Sequence, residues 1–145
     1  MKFEFLSYES DINKVKDLIK DVFNIDDIKN IEIVDNPRFL ILKKDDNVIA
    51  ASMLTTKYDP IKDVKIMYVD YVCVDKLYQH QGYGTKLFSE IENVARNEKY
   101  NYIELTSNKK REHARAIYLK QGMEIIDTDV FIKKIDWGKD EEEFK

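Results

Sequence analysis

The sequence predicts an α/β domain in which a mixed, mostly antiparallel central sheet is flanked by helices. Short runs rich in β-branched and aromatic residues follow one another through tight turns in the first half. Two stripes of apolar residues at helical spacing then alternate with further strand-like runs. At 145 residues the chain is long enough for a single domain to bury a core. We expect that domain at 1–137, followed by an acidic tail at 138–145.

The first half reads as an antiparallel meander around one helix. Ser10 is expected to cap a helix that runs to about residue 23, because apolar residues recur at helical spacing after it. The connections between the strands are too short for crossovers, so neighbouring strands should be antiparallel. The predicted strands are 2–8, 39–43, one that starts at Val48 after the turn at 45–47 and ends near Pro60, and 64–74.

The second half changes to a strand–helix–strand pattern. A helix from Gly84 to about Asn97 separates the strand at 64–74 from one at 102–106, which predicts that these two strands are parallel. A last helix is expected at about 111–121, ended by Gly122. Two final strands, 123–127 and 130–135, should close the sheet, with Phe131 and Trp137 packed on the last of them.

Composition and charge favour a soluble cytoplasmic protein without nucleic-acid or membrane partners. The formal charge is −4, with 24 basic and 28 acidic residues, whereas nucleic-acid-binding domains usually carry a basic excess. The longest apolar runs, such as 39–42, are far too short to cross a bilayer. A single cysteine, Cys73, excludes an internal disulfide and favours a reducing compartment.

The segment Gln79–Thr85 is the most informative part of the sequence. Two of the four glycines of the chain, Gly82 and Gly84, lie here between a strand and an amphipathic helix. Glycines allow the backbone to turn sharply and approach a ligand, and the helix N-terminus adds a positive field, which suits phosphate oxygens. The order Gly84-Thr85-Lys86 does not fit a P-loop, and a third glycine for a dinucleotide fingerprint is absent. By itself the segment could equally be a surface turn.

Two motifs occur in order between residues 72 and 123. The first is Val72-Cys73-Val74-Asp75 followed by Gln79-x-x-Gly82-x-Gly84 and a helix. The second is Arg111-x-x-Ala114-x-x-x-Tyr118-x-Lys120-x-Gly122-Met123. In this order the two motifs resemble those of the GNAT superfamily of N-acetyltransferases. Close resemblance covers about 66–124, with Gln81, Lys76 and Met123 at positions where Arg, Pro and Phe are commoner. The resemblance implies a GNAT-like acyl-CoA N-acyltransferase fold and acetyl-CoA (coenzyme A) as co-substrate, with no metal.

The resemblance also implies which residues bind acetyl-CoA. The backbone of the strand at 72–74 would pair with the pantetheine arm like an added strand, and the loop amides would hold the pyrophosphate. Arg111 would lie near a phosphate or carbonyl, although a solvated arginine at a helix start is nearly as common. The cofactor-binding set is Val72, Cys73, Val74, Gln79, His80, Gln81, Gly82, Tyr83, Gly84, Thr85, Arg111, Ala114 and Tyr118.

Three residues are candidates for catalysis. In the family the tyrosine at the position of Tyr118 faces the leaving thiol; a phenol near pKa 10 and a thiol near 8.5 make full proton transfer uphill by roughly 2 kcal/mol. A lysine-like amine must also lose a proton before it can attack, and this deprotonation costs about 4–5 kcal/mol of free energy at pH 7. Asp70 and Glu104, on neighbouring strands, are candidate bases, and a water relay without a single base is an equal alternative.

Other interpretations of the sequence remain open. Cys73 reads as a small core residue, because direct transfer between bound substrates needs no covalent enzyme intermediate. His80 and His113 lack cysteines or paired carboxylates at metal spacing, so no metal site is predicted. The chain could instead be a non-catalytic acyl-CoA-binding or sensing module, or a scaffold domain without a cofactor. The acceptor, a small molecule or protein that bears an amine, is not identified. The resemblance to the family implies that the acidic segment 20–38 borders the acceptor side and that a homodimer is possible.

Overall fold

A computed structural model describes the fold over residues 1–138. Within these residues the strands are β1 (Lys2–Phe5), β2 (Arg38–Lys44), β3 (Asn47–Asp59), β4 (Val64–Val74) and β5 (Tyr102–Leu105), and the helices are α1 (Glu9–Phe23), α2 (Tyr83–Asn97) and α3 (Glu112–Lys120). These five strands form one sheet, in the order β1-β2-β3-β4-β5.

The strand pairing confirms the predicted mixed sheet. The pairs β1–β2, β2–β3 and β3–β4 are antiparallel, whereas β4 and β5 are parallel and are joined through α2. The tight connection between β2 and β3 includes Asp45 at a φ of +55°, a left-handed conformation that aspartate tolerates better than most residues. The helix that links the parallel strands is the crossover that such a pair requires.

Each face of the sheet carries its own hydrophobic cluster and its own helix. In β2, Leu40 and Leu42 belong to the cluster under α2, and Phe39 and Ile41 belong to the cluster under α1. Successive side chains of a strand point to opposite faces, so a strand covered on both sides must be apolar throughout. This explains why the run at 39–42 is continuous rather than alternating.

The predicted helix cap at Ser10 is wrong. Helix α1 begins at Glu9 with Tyr8 as its cap residue, and no side chain caps it. The first turn is closed by the amide of Asp11, which donates to the Tyr8 carbonyl at 3.0 Å. Ser10 therefore lies inside the helix, and the acidic side chains of Glu9 and Asp11 meet the positive end of the helix dipole instead.

The two predicted strands at 123–127 and 130–135 are not formed. Among residues 1–138, no segment after α3 is a strand, and none pairs with the outer edge of β5. Phe131 is 92% exposed and Trp137 is 56% exposed, so their predicted packing on a last strand is also wrong. Consecutive apolar residues such as 130–132 need cover on both faces, whereas these three residues are 74%, 92% and 88% exposed.

The predicted acidic tail and the prediction that no segment crosses a membrane can be compared only with residues 1–138. Of the predicted acidic tail at 138–145, only Gly138 is described, and 139–145 lie outside the described residues. Within residues 1–138, no helix combines the length and apolarity that crossing a membrane would require.

A buried ion pair ties α1 to the sheet. Asp11 is only 1% exposed, and its carboxylate accepts hydrogen bonds from Lys43 of β2 at 3.0 Å and from Lys14 at 3.4 Å. Lys43 also lies 3.5 Å from the carboxylate of Glu4 in β1. Burial by itself raises the pKa of Asp11, but the hydrogen bonds and charges of Lys43 and Lys14 more than offset this and hold it below its usual 3.8. The folded state therefore favours the ionised carboxylate.

We predict that Asp11→Asn destabilises the fold at pH 7 by about 2 kcal/mol, because it removes charge-assisted hydrogen bonds at a buried site. The pKa of Asp11 is lowered in the folded state, so its contribution is present above its usual value of 3.8 and is lost as the pH falls through the lowered value. Urea unfolding at pH 7 and pH 3 should show the difference between wild type and variant shrinking at pH 3.

Asp17→Asn is the matched control, since Asp17 lies on the exposed side of the same helix. It should change the free energy of unfolding by less than about 0.5 kcal/mol. Equal effects of the two substitutions at pH 7 would contradict a structural role for the Asp11 ion pair.

Candidate active site

Strands β4 and β5 run side by side for only part of the length of β4. Their parallel pairing covers Ile66–Val69 of β4 and ends where Val69 meets Leu105, the last residue of β5. Strand β4 continues for five more residues to Val74, and on that side no described strand pairs with it. The backbone of 70–74 is therefore exposed to a cleft between the two strands.

A β-bulge in β4 lies at the point where the strands part. Between the pairs Ala51–Cys73 and Met53–Asp70, strand β3 has one residue, Ser52, and β4 has two. Tyr71 takes up the extra residue with a φ of +51°. The buried Ser52 hydroxyl donates to the Asp70 carbonyl at 3.1 Å. A bulge bends its strand and raises the local twist, which turns the rest of β4 away from β5.

The cleft contains a pocket of about 200 Å³. Four of the predicted site residues line it, from two different elements: Asp70, Val72, Arg111 and Tyr118. Sequence reasoning missed the other lining residues, which come from α1, β4, β5 and the loop after β5: Phe23, Val69, Tyr71, Leu105, Thr106 and Ser107. They are distant in sequence and carry no motif, so only the strand order and the bulge could have identified them.

Helix α3 presents its motif residues on one face. Arg111, at the N-cap, Ala114 and Tyr118 are spaced three and four residues apart, which puts them above one another on a helix. Tyr118 is 9% exposed, and its ring packs against Phe88 of α2 with centroids 5.6 Å apart. Burial raises the pKa of the Tyr118 phenol, and the nearby charge of Arg111 partly offsets this. The hydroxyl is therefore protonated at neutral pH and can donate a hydrogen bond.

The loop before α2 has the conformation that its glycines predict. Gly82 has a φ of +88°, and His80 a φ of +62°. The side chain of Gln79 donates to the Val74 carbonyl at 2.9 Å, which holds the loop against the end of β4. Helix α2 then begins at Tyr83 without a side-chain cap. The first amides of the helix and its positive dipole end thus face the loop, as an anion site requires.

Two contacts join this loop and α2 to α3. A Cβ on Gly84 would lie 3.2 Å from Ile117 Cδ1, so the absence of a side chain there lets the two helices approach. The rings of His80 and His113 have centroids 4.8 Å apart. His113 was not predicted as part of the site, because its distance in sequence from the loop hides this contact. The loop that was predicted to bind the pyrophosphate is thus adjacent to α3, which carries the predicted site residue Tyr118.

The two candidate bases are placed differently. Asp70 lines the pocket beside the bulge, whereas Glu104 is exposed and is not among the lining residues. Glu104 faces Tyr68 across the β4–β5 pair. The pKa of Tyr68 is raised by burial first and by the Glu104 carboxylate second. The structure therefore groups Asp70, but not Glu104, with Tyr118.

Cys73 lies away from the pocket. Its side chain is 2% exposed in the cluster under α1, and its thiol donates to the Ala51 carbonyl at 3.6 Å. Burial raises the pKa of the Cys73 thiol to about 12. Within residues 1–138, no group of three or more His, Cys, Asp or Glu side chains could hold a metal ion.

Comparisons with known proteins agree with this geometry. The model of the Acetyltransferase (GNAT) family matches residues 5–123, whereas a comparison with curated protein sequences finds no match. Among solved structures, a ribosomal-protein-alanine N-acetyltransferase from Brucella melitensis biovar Abortus 2308 superposes with a TM-score of 0.78 at 14% identity, over 93% of this chain and 100% of that one.

Two further structures share the fold. An aminoglycoside acetyltransferase, meta-AAC0020, from an uncultured soil metagenomic sample has a TM-score of 0.74 at 14% identity, over 91% of this chain and 96% of its own. A possible acetyltransferase from Clostridium difficile 630 has a TM-score of 0.74 at 18% identity, over 94% and 99%. At such identities the likeness establishes the fold. The family match over most of the chain goes further: this protein belongs to the GNAT family of acetyltransferases.

Proposed function

We propose that this protein transfers the acetyl group of acetyl-CoA to a primary amine by direct attack, with no covalent enzyme intermediate. Acetyl transfer follows from the family; the direct attack and the roles of individual residues are our proposal. The observation that carries it is the cleft between β4 and β5, where the unpaired strand edge at 70–74 lies next to the buried Tyr118.

The residues of the cleft fit the two ends of acetyl-CoA. The strand edge at Val72 and Val74, with which no described strand pairs, can hydrogen-bond an amide-bearing chain such as the pantetheine arm, as an added strand does. The Val74 carbonyl already accepts a hydrogen bond from Gln79. The loop amides and the uncapped start of α2 suit the pyrophosphate. The proposed cofactor-binding residues are Val72, Cys73, Val74, Gln79, His80, Gln81, Gly82, Tyr83, Gly84, Thr85, Ala114 and Tyr118. Arg111, which the sequence also predicted to bind the cofactor, contacts Phe23 of α1 instead, and we propose that it binds the acceptor. Cys73 takes part through its backbone, since its side chain points to the core under α1.

The transfer step needs three contributions from the protein. The amine nitrogen attacks the thioester carbonyl carbon, a C–N bond forms, and the C–S bond then breaks to release coenzyme A as a thiolate. A backbone N–H at the parted edge of β4 can polarise the carbonyl oxygen as charge develops on it. The proton of the amine goes to a base or to water, and the thiolate accepts a hydrogen bond or a proton from Tyr118.

Asp70 is the better placed of the two candidate bases. Asp70 lines the pocket with Tyr118, whereas Glu104 is not among the lining residues. In either case a water molecule can carry the proton from the amine, so the base need not touch the nitrogen. The role of Glu104 therefore stays a prediction from sequence without support from its position.

The acceptor belongs to the amine-bearing small molecules or proteins. The structural neighbours are named for both classes, an aminoglycoside and the alanine of a ribosomal protein. The pocket of about 200 Å³ is smaller than the roughly 300–1,000 Å³ typical of sites for drug-sized ligands. We therefore propose that the part of the acceptor that enters the pocket is small.

We predict that Tyr118→Phe lowers kcat by about 10²-fold, because the leaving thiolate loses its hydrogen-bond donor. Binding of acetyl-CoA should change by less than about threefold, since the ring and its packing on Phe88 are retained. The measurements are release of free thiol with a set of amines, and a thermal-shift titration with acetyl-CoA.

Tyr102→Phe is the matched control, because Tyr102 is exposed on the edge strand β5. An unchanged kcat in Tyr118→Phe would remove Tyr118 from the chemistry and favour a binding module. If the wild-type protein binds acetyl-CoA tightly but releases no thiol with any amine of the set, the transferase proposal is overturned.

We predict that Cys73→Ala retains the rate of transfer within about threefold. A thiol with a pKa of about 12 is not a nucleophile at neutral pH, and direct transfer does not use one. Iodoacetamide should label Cys73 only after unfolding in urea. Acetylated Cys73 in the mass spectrum of the folded protein after addition of acetyl-CoA would contradict direct attack.

A further inference from the structure

Among the described residues that line the pocket, Arg111 is the one cation. Its guanidinium carbon lies 4.9 Å from the centroid of the Phe23 ring, the last residue of α1. The Phe23 ring in turn meets Tyr71, at the bulge, edge-on with centroids 5.5 Å apart. The side chain of Arg111 thus reaches from the start of α3 across the pocket to the end of α1.

This position puts the guanidinium on the α1 face of the sheet. Phe23 packs against the hydrophobic cluster under α1, and α2 covers the other cluster. The loop proposed for the pyrophosphate leads directly into α2. The cation in the pocket therefore lies on the α1 face, whereas the loop proposed for the cofactor phosphates leads to the α2 face.

The guanidinium has no anionic partner within the described part of the chain. No carboxylate among residues 1–138 forms an ion pair with Arg111. The contact with Phe23 is to an aromatic ring and not to a hydrogen-bond acceptor, so the N–H donors of the guanidinium stay available. The planar fork of arginine matches a carboxylate in bidentate geometry. A second polar group of opposite charge, Asp70, lines the same pocket.

We propose that Arg111 binds a carboxylate of the acceptor, so that the acceptor is a small amino acid-like molecule with its amine near Asp70 and Tyr118. This inference rests on the proposed function of the pocket. Phe23, Tyr71 and Tyr118 line the same pocket as the two charged residues, and its volume of about 200 Å³ suits a molecule of amino-acid size.

The test compares amino acids with their primary amides, which keep the amine and the shape but lose the negative charge. With saturating acetyl-CoA, kcat/KM of the wild type should be at least about tenfold higher for the acids than for the amides. Arg111→Gln should remove that preference by raising KM for the acids, with KM for the amides and for acetyl-CoA changed less than threefold. Arg111→Lys should keep part of the preference, because it keeps the charge without the fork.

Arg115→Gln, one turn further along α3, is the matched control and should behave as the wild type. A wild-type enzyme that acetylates amides as well as acids would overturn the inference. So would an Arg111→Gln variant, folded by thermal melting, that raises KM for acetyl-CoA alone, since Arg111 would then bind the cofactor. A wild type that releases thiol with other amines but with no amino acid overturns this inference alone, whereas no binding of acetyl-CoA overturns the proposed function.

Discussion

The bulge at Tyr71 is the constraint on which the rest of the site depends. It adds one residue to β4 relative to β3, and pairing with β5 ends just before it. Without the added residue, β4 and β5 could continue side by side, and the edge at 70–74 would then form its hydrogen bonds within the sheet. Neighbouring groups hold the bulge in place, because the buried Ser52 hydroxyl donates a hydrogen bond to the Asp70 carbonyl and Phe23 packs against the Tyr71 ring. A left-handed φ at a tyrosine is costly and is retained only where neighbouring groups fix it.

The parted strands divide the protein into two functional sides. On one side, the loop after β4 is tied to it by Gln79 and passes into α2, whose uncapped start suits an anion. On the other side, α1 ends at Phe23 beside the pocket and is fixed to the sheet by the buried Asp11–Lys43 pair. Helix α3 joins the two, since Tyr118 contacts α2 through Phe88 and Arg111 contacts α1 through Phe23. In the mechanism we propose, both substrates therefore meet at one short stretch of β4.

The sequence predicted the features that depend on local residue patterns. It failed for the features that depend on contacts between distant parts of the chain. Strand and helix order, the parallel β4–β5 pair and the loop before α2 follow from periodicity and glycine placement, and the structure has them. Ser10 fits a cap by residue type, but the inward turn of Asp11 toward Lys43 moves the helix start, which only the tertiary contact determines. The bulge depends on the register with β3, so neither Tyr71 nor the neighbouring Phe23 could be recognised. The apolar pattern at 123–135 is strand-like, yet no described strand pairs with it.

The central claim is that acetyl-CoA binds along the parted edge of β4 and at the loop before α2. Amide chemical-shift mapping of the ¹⁵N-labelled protein during titration with coenzyme A tests it most directly. The account predicts saturable shifts concentrated at 72–74, at 79–85 and at the start of α3, with little change on β1 and β2. Saturable shifts that cluster elsewhere, or none at concentrations that saturate other acetyltransferases, would contradict it.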